Sequence, residues 1–254
     1  MTSTEESRRK YDALADRYEE IFFYVADVGR QLVDYAAPSA GARLLDVGAG
    51  RGAVARAALA TGCTVTAVDS SAGMVSRLAA DHPDMVVCQQ DAGSLDFAAG
   101  SFDVVTAGFV VQVLTSPVDA LAEFRRVLVP GGVVALSLER QEVGRLAWLH
   151  ALNQKFFGGG GGAAMTADHL DALLLSAGFT SPTRVTVDIP KRLADPAAMW
   201  DWLAGQGVAD AVDRLPTEKA VAFREGFFRG AEEMHRNGGI VINFGATLHR
   251  ATTR

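Results

Sequence analysis

Residues 44–52 read Leu-Leu-Asp-Val-Gly-Ala-Gly-Arg-Gly, an apolar run that ends in a glycine-dense turn. A helical pattern of alanine and valine begins directly afterwards, at Ala53. A strand, a tight loop and a helix N-terminus in this order form the usual cradle for a nucleotide-like cofactor in an open α/β sheet. Asp46 is the unusual member of the stretch, because it places a carboxylate immediately before the loop.

Strand and helix patterns alternate along the chain from residue 43 to residue 140. Such alternation implies right-handed crossovers and a mostly parallel, doubly wound α/β sheet. The predicted strands are 43–48, 64–69, 85–90, 102–108, 132–139, 183–189 and 240–250, and the core helices are 52–61, 71–81 and 117–128.

The length of 254 residues favours one α/β domain with a sizeable insertion. We expect an N-terminal helical lid at 1–38, a cofactor-binding core at 39–140, a helical segment at 141–182, and a region at 183–254 that holds the last two strands and a helical cover at 195–238. Five consecutive glycines, Gly158–Gly162, predict a mobile loop, either a passive connection or the hinge of a lid.

The composition argues against nucleic acid, membranes and metal ions as partners. The net charge is −6 and the pI about 5.4, and no basic stripe occurs, which argues against nucleic acid as the main partner. No apolar signal region or membrane-length apolar stretch is present, so we expect a cytoplasmic protein without a membrane partner. Two isolated cysteines, Cys63 and Cys88, indicate reduced thiols, and no metal site is predicted.

Three acids close three successive predicted strands: Asp46, Asp69 and Asp91. The carboxyl ends of these strands line one crevice in a doubly wound sheet. Crowded like charges are costly, so a ligand with a ribose diol and positive groups would explain them. Asp69 would accept hydrogen bonds from the ribose, Asp91 from an exocyclic amine of a base, and Asp46 would lie near a cationic amino-acid end.

The same loop also matches the NAD fingerprint. Gly48, Gly50 and Ala53 have the required spacing, and Asp69 follows Gly50 by nineteen residues. This match is weak alone, because Asp46 would repel a pyrophosphate that lay on the loop. A sulfonium and an ammonium carry the opposite charge, and Asp46 therefore favours a cationic cofactor.

The chain resembles the class I S-adenosylmethionine-dependent methyltransferases, in the small-molecule branch that includes quinone-biosynthesis methyltransferases. The resemblance covers residues 11–140 and includes the run Arg-Val-Leu-Val-Pro-Gly-Gly at 126–132. It implies S-adenosylmethionine as cofactor and a Rossmann-like sheet of seven strands that closes with an antiparallel strand. It also implies a set of cofactor-binding residues: Tyr18 (with Tyr11 as second choice), Asp46, Gly48, Ala49, Gly50, Asp69, Ser70, Met74, Asp91, Ala92, Ala107, Gly108 and Gln112.

The chain departs from many of these relatives after the fourth strand. Gln112 and Val113 stand where a histidine pair is common, so no catalytic base is assigned. Candidates elsewhere are His150, His169, His235 and Tyr24. The segments expected to cover the cofactor site are rich in aromatic residues, which predicts a small hydrophobic or aromatic methyl acceptor. The sequence does not determine the methylated atom or the oligomeric state. An NAD-dependent oxidoreductase and a non-catalytic S-adenosylmethionine-binding protein remain as alternatives.

Overall fold

A computed structural model describes residues 3–140, 145–158 and 165–254, without the side chains of residues 3–7 and 10. The chain divides into two compact units. The first unit comprises residues 1–139, 165–187 and 245–254, and the second comprises residues 140–164 and 188–244. The finer four-segment division expected from the sequence stays a prediction.

A seven-stranded sheet forms the centre of the first unit, in the order β3-β2-β1-β4-β5-β9-β6. Strands β1 to β5 run parallel, and β9 is antiparallel to both of its neighbours. The strands of this sheet are β1 (Arg43–Val47), β2 (Thr64–Asp69), β3 (Val86–Gln89), β4 (Phe102–Gly108), β5 (Leu128–Glu139), β6 (Thr180–Val187) and β9 (Ala246–Thr252). The predicted fold class is confirmed.

Helices flank this sheet. Those of the first unit are α1 (Ser3–Leu14), α2 (Tyr18–Ile21), α3 (Val25–Ala36), α4 (Ala53–Ala60), α5 (Ala72–Asp81), α6 (Pro117–Val127) and α8 (Ala167–Ser176). Leu45 and Val47 of β1 belong to the buried cluster under α6 and α8. Leu44 and Asp46 alternate with them and are also buried, so both faces of β1 are covered.

Two predicted strands differ markedly from the structure, whereas the bounds of the strands predicted at 43–48, 85–90 and 183–189 shift by one to three residues. The predicted strand 240–250 is two strands, because β8 (Ile240–Asn243) pairs with β7 (Pro190–Leu193) in a separate sheet before β9 begins. Strand β5 begins at Leu128 rather than at 132, with a register shift opposite Phe102 and Val104. This irregularity accommodates Pro130 and the two glycines that follow it.

The second unit contains β7, β8 and the helices α7 (Ala147–Phe157), α9 (Pro196–Gly205), α10 (Val208–Asp213) and α11 (Thr217–Arg236). Phe223 and Phe227 of α11 are fully buried and meet aromatic rings of α7 and α9 at centroid distances of 5.1–5.8 Å. Gly230 faces the Trp148 ring so closely that a Cβ atom would lie 2.3 Å from it. These aromatic residues therefore pack the helices of the second unit together.

Of the predicted glycine hinge at 158–162, the structure describes Gly158, and residues 159–162 lie outside the described ranges. The N-terminal helical region contains three helices, with breaks at residues 15–17 and 22–24. No helix in the described ranges has the length and apolar character needed to cross a membrane.

Candidate functional site

The strand order of the first unit reverses between β1 and β4, and an open α/β sheet binds ligands outside the carboxyl ends of such strands. Two cavities lie at this position, with empty volumes of about 670 and 450 Å³. We call them together the cleft. They share Tyr18, Gly48, Gly108 and Phe109 as lining residues. The larger cavity is also lined by Arg8, Tyr11, Gly50, Asp69, Ser70, Met74, Val110, Val113 and Leu114, and the smaller by Asp46 and Ala49 among others.

Gly48 brings the backbone of the loop unusually close to the segment after β4. Its φ is +66°, and a Cβ atom built there would lie 2.3 Å from the Val110 Cγ2 atom. Both the left-handed backbone and the contact require glycine. Gly50 has a φ of +54°, and a Cβ atom added to it would lie 3.8 Å from the Tyr18 Cε1 atom. This second glycine therefore lies beneath the tyrosine ring.

Asp69, at the end of β2, organises the loop with both carboxylate oxygens. Oδ2 accepts a hydrogen bond from the Gly50 N–H at 2.8 Å, and Oδ1 accepts one from the Ser71 N–H at 2.8 Å. Burial raises the pKa of Asp69, although these hydrogen bonds act in the opposite direction. Ser71 in turn caps α5 by accepting from the Met74 N–H. The arrangement fixes Asp69, Ser70 and Met74 along one wall of the larger cavity.

Asp46 is 1% exposed, and its carboxylate binds the protein itself. Oδ1 accepts from the Thr106 hydroxyl at 2.9 Å, and Oδ2 accepts from the Ala55 N–H at 3.1 Å in the first turn of α4. Burial raises its pKa to about 7, against the effect of these two hydrogen bonds. The Asp46 carboxylate therefore binds a backbone amide at the N-terminus of α4, the position at which a phosphate would otherwise bind.

We expect Asp46→Asn to stabilise the ligand-free protein at pH 8. The folded pKa of about 7 lies above the ordinary 3.8, so the stability that Asp46 contributes below pH 4 is lost as pH rises to 7. Asparagine carries no buried charge: its oxygen can accept from the Ala55 N–H, and its NH₂ group can donate to the Thr106 hydroxyl, which reverses the direction of that hydrogen bond. Thermal unfolding should show Tm higher by about 4–8 °C at pH 8 and equal Tm near pH 4. Exposed Asp34, changed to asparagine, is the control. Equal Tm of wild type and Asp46→Asn at pH 8 would contradict the expectation.

Four sequence-predicted site residues do not line the cleft. Ala92 and Ala107 are buried in the core, and the Gln112 side chain accepts from the Glu139 N–H at 2.8 Å. Asp91 borders a different cavity, accepts from the Gly93 N–H, and lies 3.7 Å from the Arg8 guanidinium. Leu114 lines that cavity and the cleft, so the two adjoin.

Phe109 is a cleft residue that sequence reasoning missed. It adopts a φ of +59°, which is rare for a bulky side chain and costs about 1–3 kcal/mol. Its N–H holds this conformation by donating to the Ser137 carbonyl at 3.2 Å and the Ser137 hydroxyl at 3.0 Å. No local sequence signal marks a phenylalanine that adopts this conformation. The contact between Val110 and Gly48 likewise becomes apparent only in the folded structure.

Five rings of the first unit follow one another, and we call them the aromatic chain. Neighbouring centroids lie 4.8–6.3 Å apart, and both end members line the cleft. The members in order are Tyr11, Tyr18, Phe22, Tyr24 and Phe109. Burial raises the pKa of the three tyrosines, and they are neutral phenols at physiological pH.

None of the candidate histidines His150, His169 and His235 is among the residues that line the cleft. Tyr24 does not line the cleft, but its ring contacts Phe109, which does, with centroids 6.0 Å apart. Among the residues that the structure describes, no group of three or more histidine, cysteine, aspartate or glutamate side chains is placed to hold a metal ion. The cleft is therefore lined by glycines, acids, aromatic rings and aliphatic side chains, with Arg8 and Arg51 at its walls.

Residues 45–136 match the family described as "Methyltransferase domain". The match spans β1 to β5, with the glycine loop and the Asp69 wall of the cleft inside it. This part of the chain is similar to methyltransferase domains, and the predicted resemblance to the S-adenosylmethionine-dependent methyltransferases is confirmed.

Individual relatives cover the same region. The demethylmenaquinone methyltransferase of Renibacterium salmoninarum is 38% identical over 108 residues, which are 42% of this chain and 46% of that protein. The malonyl-[acyl-carrier protein] O-methyltransferase of Enterobacter lignolyticus is 40% identical over 100 residues, 38% of each. The chain thus spans less than half the length of these relatives.

A crystal structure of an S-adenosylmethionine-dependent methyltransferase from Thermotoga maritima superimposes with a TM-score of 0.60. The superposition covers 97% of this chain and 99% of that one, at 16% sequence identity. At this identity the likeness supports the fold.

Proposed function

We propose that the protein transfers the methyl group of S-adenosylmethionine to a small-molecule acceptor. The observation that carries the proposal is the hydrogen bond from the Ala55 N–H to Asp46. A dinucleotide needs the N-terminus of this helix for its pyrophosphate, and a buried carboxylate already occupies that position. A cofactor with an ammonium and a sulfonium is instead attracted to it.

Several residues of the cleft would contact such a cofactor. Asp69, held by the Gly50 and Ser71 amides, would accept from the ribose hydroxyls, and Met74 would flank the base. Tyr18, above Gly50, would cover the sulfonium side. The other contacts that the resemblance implies and that line the cleft are Gly48, Ala49, Ser70 and Gly108. Asp91 borders the adjoining cavity and would reach the cofactor from there.

Methyl transfer needs little covalent chemistry from the protein, because the sulfonium carbon is already activated. The residues must align the two reactants and exclude water, which can lower a barrier by about 7–11 kcal/mol. The aromatic-chain tyrosines have an ordinary pKa near 10 that burial raises further, so they would present neutral rings to the cofactor. The acceptor belongs to the small, hydrophobic or aromatic class, and the protein would act in the cytoplasm without nucleic acid.

Thermal unfolding with S-adenosylhomocysteine and with NAD tests the cofactor. We expect Tm to rise by about 5–10 °C at a hundredfold excess over Kd of S-adenosylhomocysteine, and to stay unchanged with NAD. The reverse pattern would indicate an oxidoreductase and contradict the proposal. S-adenosylmethionine with a labelled methyl group, incubated with phenols, amines and quinone-like compounds, then distinguishes an enzyme from a protein that only binds the cofactor.

A further inference from the structure

Asp12 lies on α1 and binds the N-terminus of α5. Its Oδ1 atom accepts hydrogen bonds from the Ser71 hydroxyl at 2.5 Å and from the Gly73 N–H at 3.0 Å. Asp12 itself is exposed, but Ser71 is buried, so the carboxylate reaches a donor inside the protein. The hydrogen bonds from Ser71 and Gly73 also hold the pKa of Asp12 below its ordinary value, so it is ionised at neutral pH. A carboxylate in this position is stabilised by the helix dipole and by charge-assisted hydrogen bonds.

Ser71 contacts both Asp12 and the acid that we propose binds the ribose. Its N–H donates to Asp69, its hydroxyl donates to Asp12, and its Oγ atom also accepts from the Met74 N–H. Asp69 in turn accepts from the Gly50 N–H. One buried serine therefore connects α1 to the wall of the cleft and, through Asp69, to the glycine loop.

A second contact holds the end of α1 against the glycine loop. The Arg51 guanidinium donates to the carbonyl of Ala15, directly after α1, at 2.8 Å, and it also pairs with Asp81 at the end of α5. Ala15 is buried, and the Arg51 side chain is 14% exposed. The ion pair between Asp16 and Arg77 is different, because both of its side chains are more than half exposed. Such an exposed pair contributes little to the position of α1.

Helix α1 forms part of the larger cavity of the cleft. Arg8 and Tyr11, which are neighbours on the helix surface, line this cavity together with Asp69 and Met74. Tyr11 directly precedes Asp12, so the contact made by Asp12 fixes the turn of the helix that carries the tyrosine ring. A ligand that fills the cavity therefore touches α1 as well as the strand ends, and it leaves more readily once α1 is detached.

We propose that Asp12 is a positioning residue, which holds α1 on α5 so that Tyr11 stays against the bound cofactor and slows its release. The proposal rests on the proposed function, since it takes S-adenosylmethionine as the occupant of the larger cavity. Asp12 is not among the residues that line the cleft, and it acts through α1. Loss of its carboxylate should therefore speed dissociation of the cofactor without slowing its association.

Surface plasmon resonance of S-adenosylhomocysteine on the full chain measures both rates. In Asp12→Ala we expect the dissociation rate constant to rise by at least about 5-fold, while the association rate constant stays within about 2-fold. Asp12→Asn keeps an acceptor oxygen for both donors, so its dissociation rate constant should rise by less than about 3-fold. Asp16→Ala is the matched control, because it removes an exposed carboxylate from the same segment and should change either rate constant by less than about 2-fold.

Hydrogen exchange provides a readout that does not require the cofactor. In Asp12→Ala the backbone amides of residues 11–14 should exchange at least about 5-fold faster, whereas those of α4 should be unchanged. Equal acceleration in both helices would indicate general destabilisation and contradict a positioning role.

The outcomes separate the two proposals. Failure of S-adenosylhomocysteine to bind the wild type overturns the proposed function and this inference with it. Normal binding to the wild type, with an unchanged dissociation rate in Asp12→Ala, overturns the role of Asp12 alone. Slower association without faster dissociation would show that the substitution damages the cavity itself, which also contradicts the proposal. Equally fast release from Asp16→Ala would show that the contact with α5 is not what retains the cofactor.

Discussion

Gly48→Ala is expected to abolish measurable cofactor binding and to destabilise the protein. The added Cβ would lie 2.3 Å from the Val110 Cγ2 atom, and alanine would also have to adopt a φ of +66°. The left-handed backbone costs about 1–2 kcal/mol, and the clash adds about 1–3 kcal/mol. Relief of the clash moves the loop away from Asp69 or the Val110 segment out of the cleft. Thermal unfolding should show a Tm lower by about 5–15 °C.

A matched control separates the two costs. Gly41 has a φ of +80°, and a Cβ atom there meets nothing within 4 Å, so Gly41→Ala carries the backbone cost alone. It should lower Tm by about 2–6 °C and leave cofactor affinity unchanged. The double variant Gly48→Ala with Val110→Ala removes the clashing methyl groups and should recover part of the lost affinity. Equal effects of Gly41→Ala and Gly48→Ala would show that the close approach to Val110 is unimportant.

Asp69→Asn is expected to weaken S-adenosylhomocysteine binding by about 100-fold or more, which corresponds to about 2.7 kcal/mol. Both carboxylate oxygens accept from backbone amides, on Gly50 and on Ser71. An asparagine presents only one oxygen, so its NH₂ group must face one of these N–H donors. The variant therefore loses a loop contact as well as the acceptor for the ribose, and should also unfold about 1–3 kcal/mol more easily.

Asp91→Asn removes one negative charge, as Asp69→Asn does, and therefore serves as the comparison variant. Asp91 is about half exposed, and the single backbone donor bound by its Oδ1, on Gly93, can still be accepted by an amide oxygen. We expect a loss of cofactor affinity below about 5-fold. Titration calorimetry of both variants measures the contrast. If Asp91→Asn weakened binding as much as Asp69→Asn, the larger cavity would not be the main cofactor site.

Local sequence patterns were sufficient to predict the strands of the parallel core. The predicted strands at 64–69 and 102–108 have the observed bounds, because runs rich in valine and threonine end there in an acid or a glycine. The break at residues 244–245 was not predictable, since alternation continues through it and only tertiary pairing assigns β8 and β9 to different sheets. Strand β7, which opens on Pro190, was missed for the same reason.

The cleft was predictable where backbone geometry demands a residue type. Gly48, Gly50 and Asp69 follow from the turn and from the strand end. The Phe109 conformation depends on Ser137, twenty-eight residues further along the chain, and no local pattern reports that contact. Likewise, only the packed structure shows that Asp46 faces a helix amide instead of open space.

The place of β9 in the sheet constrains how the protein is made. During synthesis β6 emerges from the ribosome long before β9, yet its hydrogen-bonded neighbour in the sheet is β9. Until β9 has been synthesised, one edge of β5 is unpaired and β6 has no neighbouring strand with which to pair. Translation therefore runs well ahead of sheet completion, and a nascent chain that stalls before residue 246 exposes an edge on which chaperones or other chains can act.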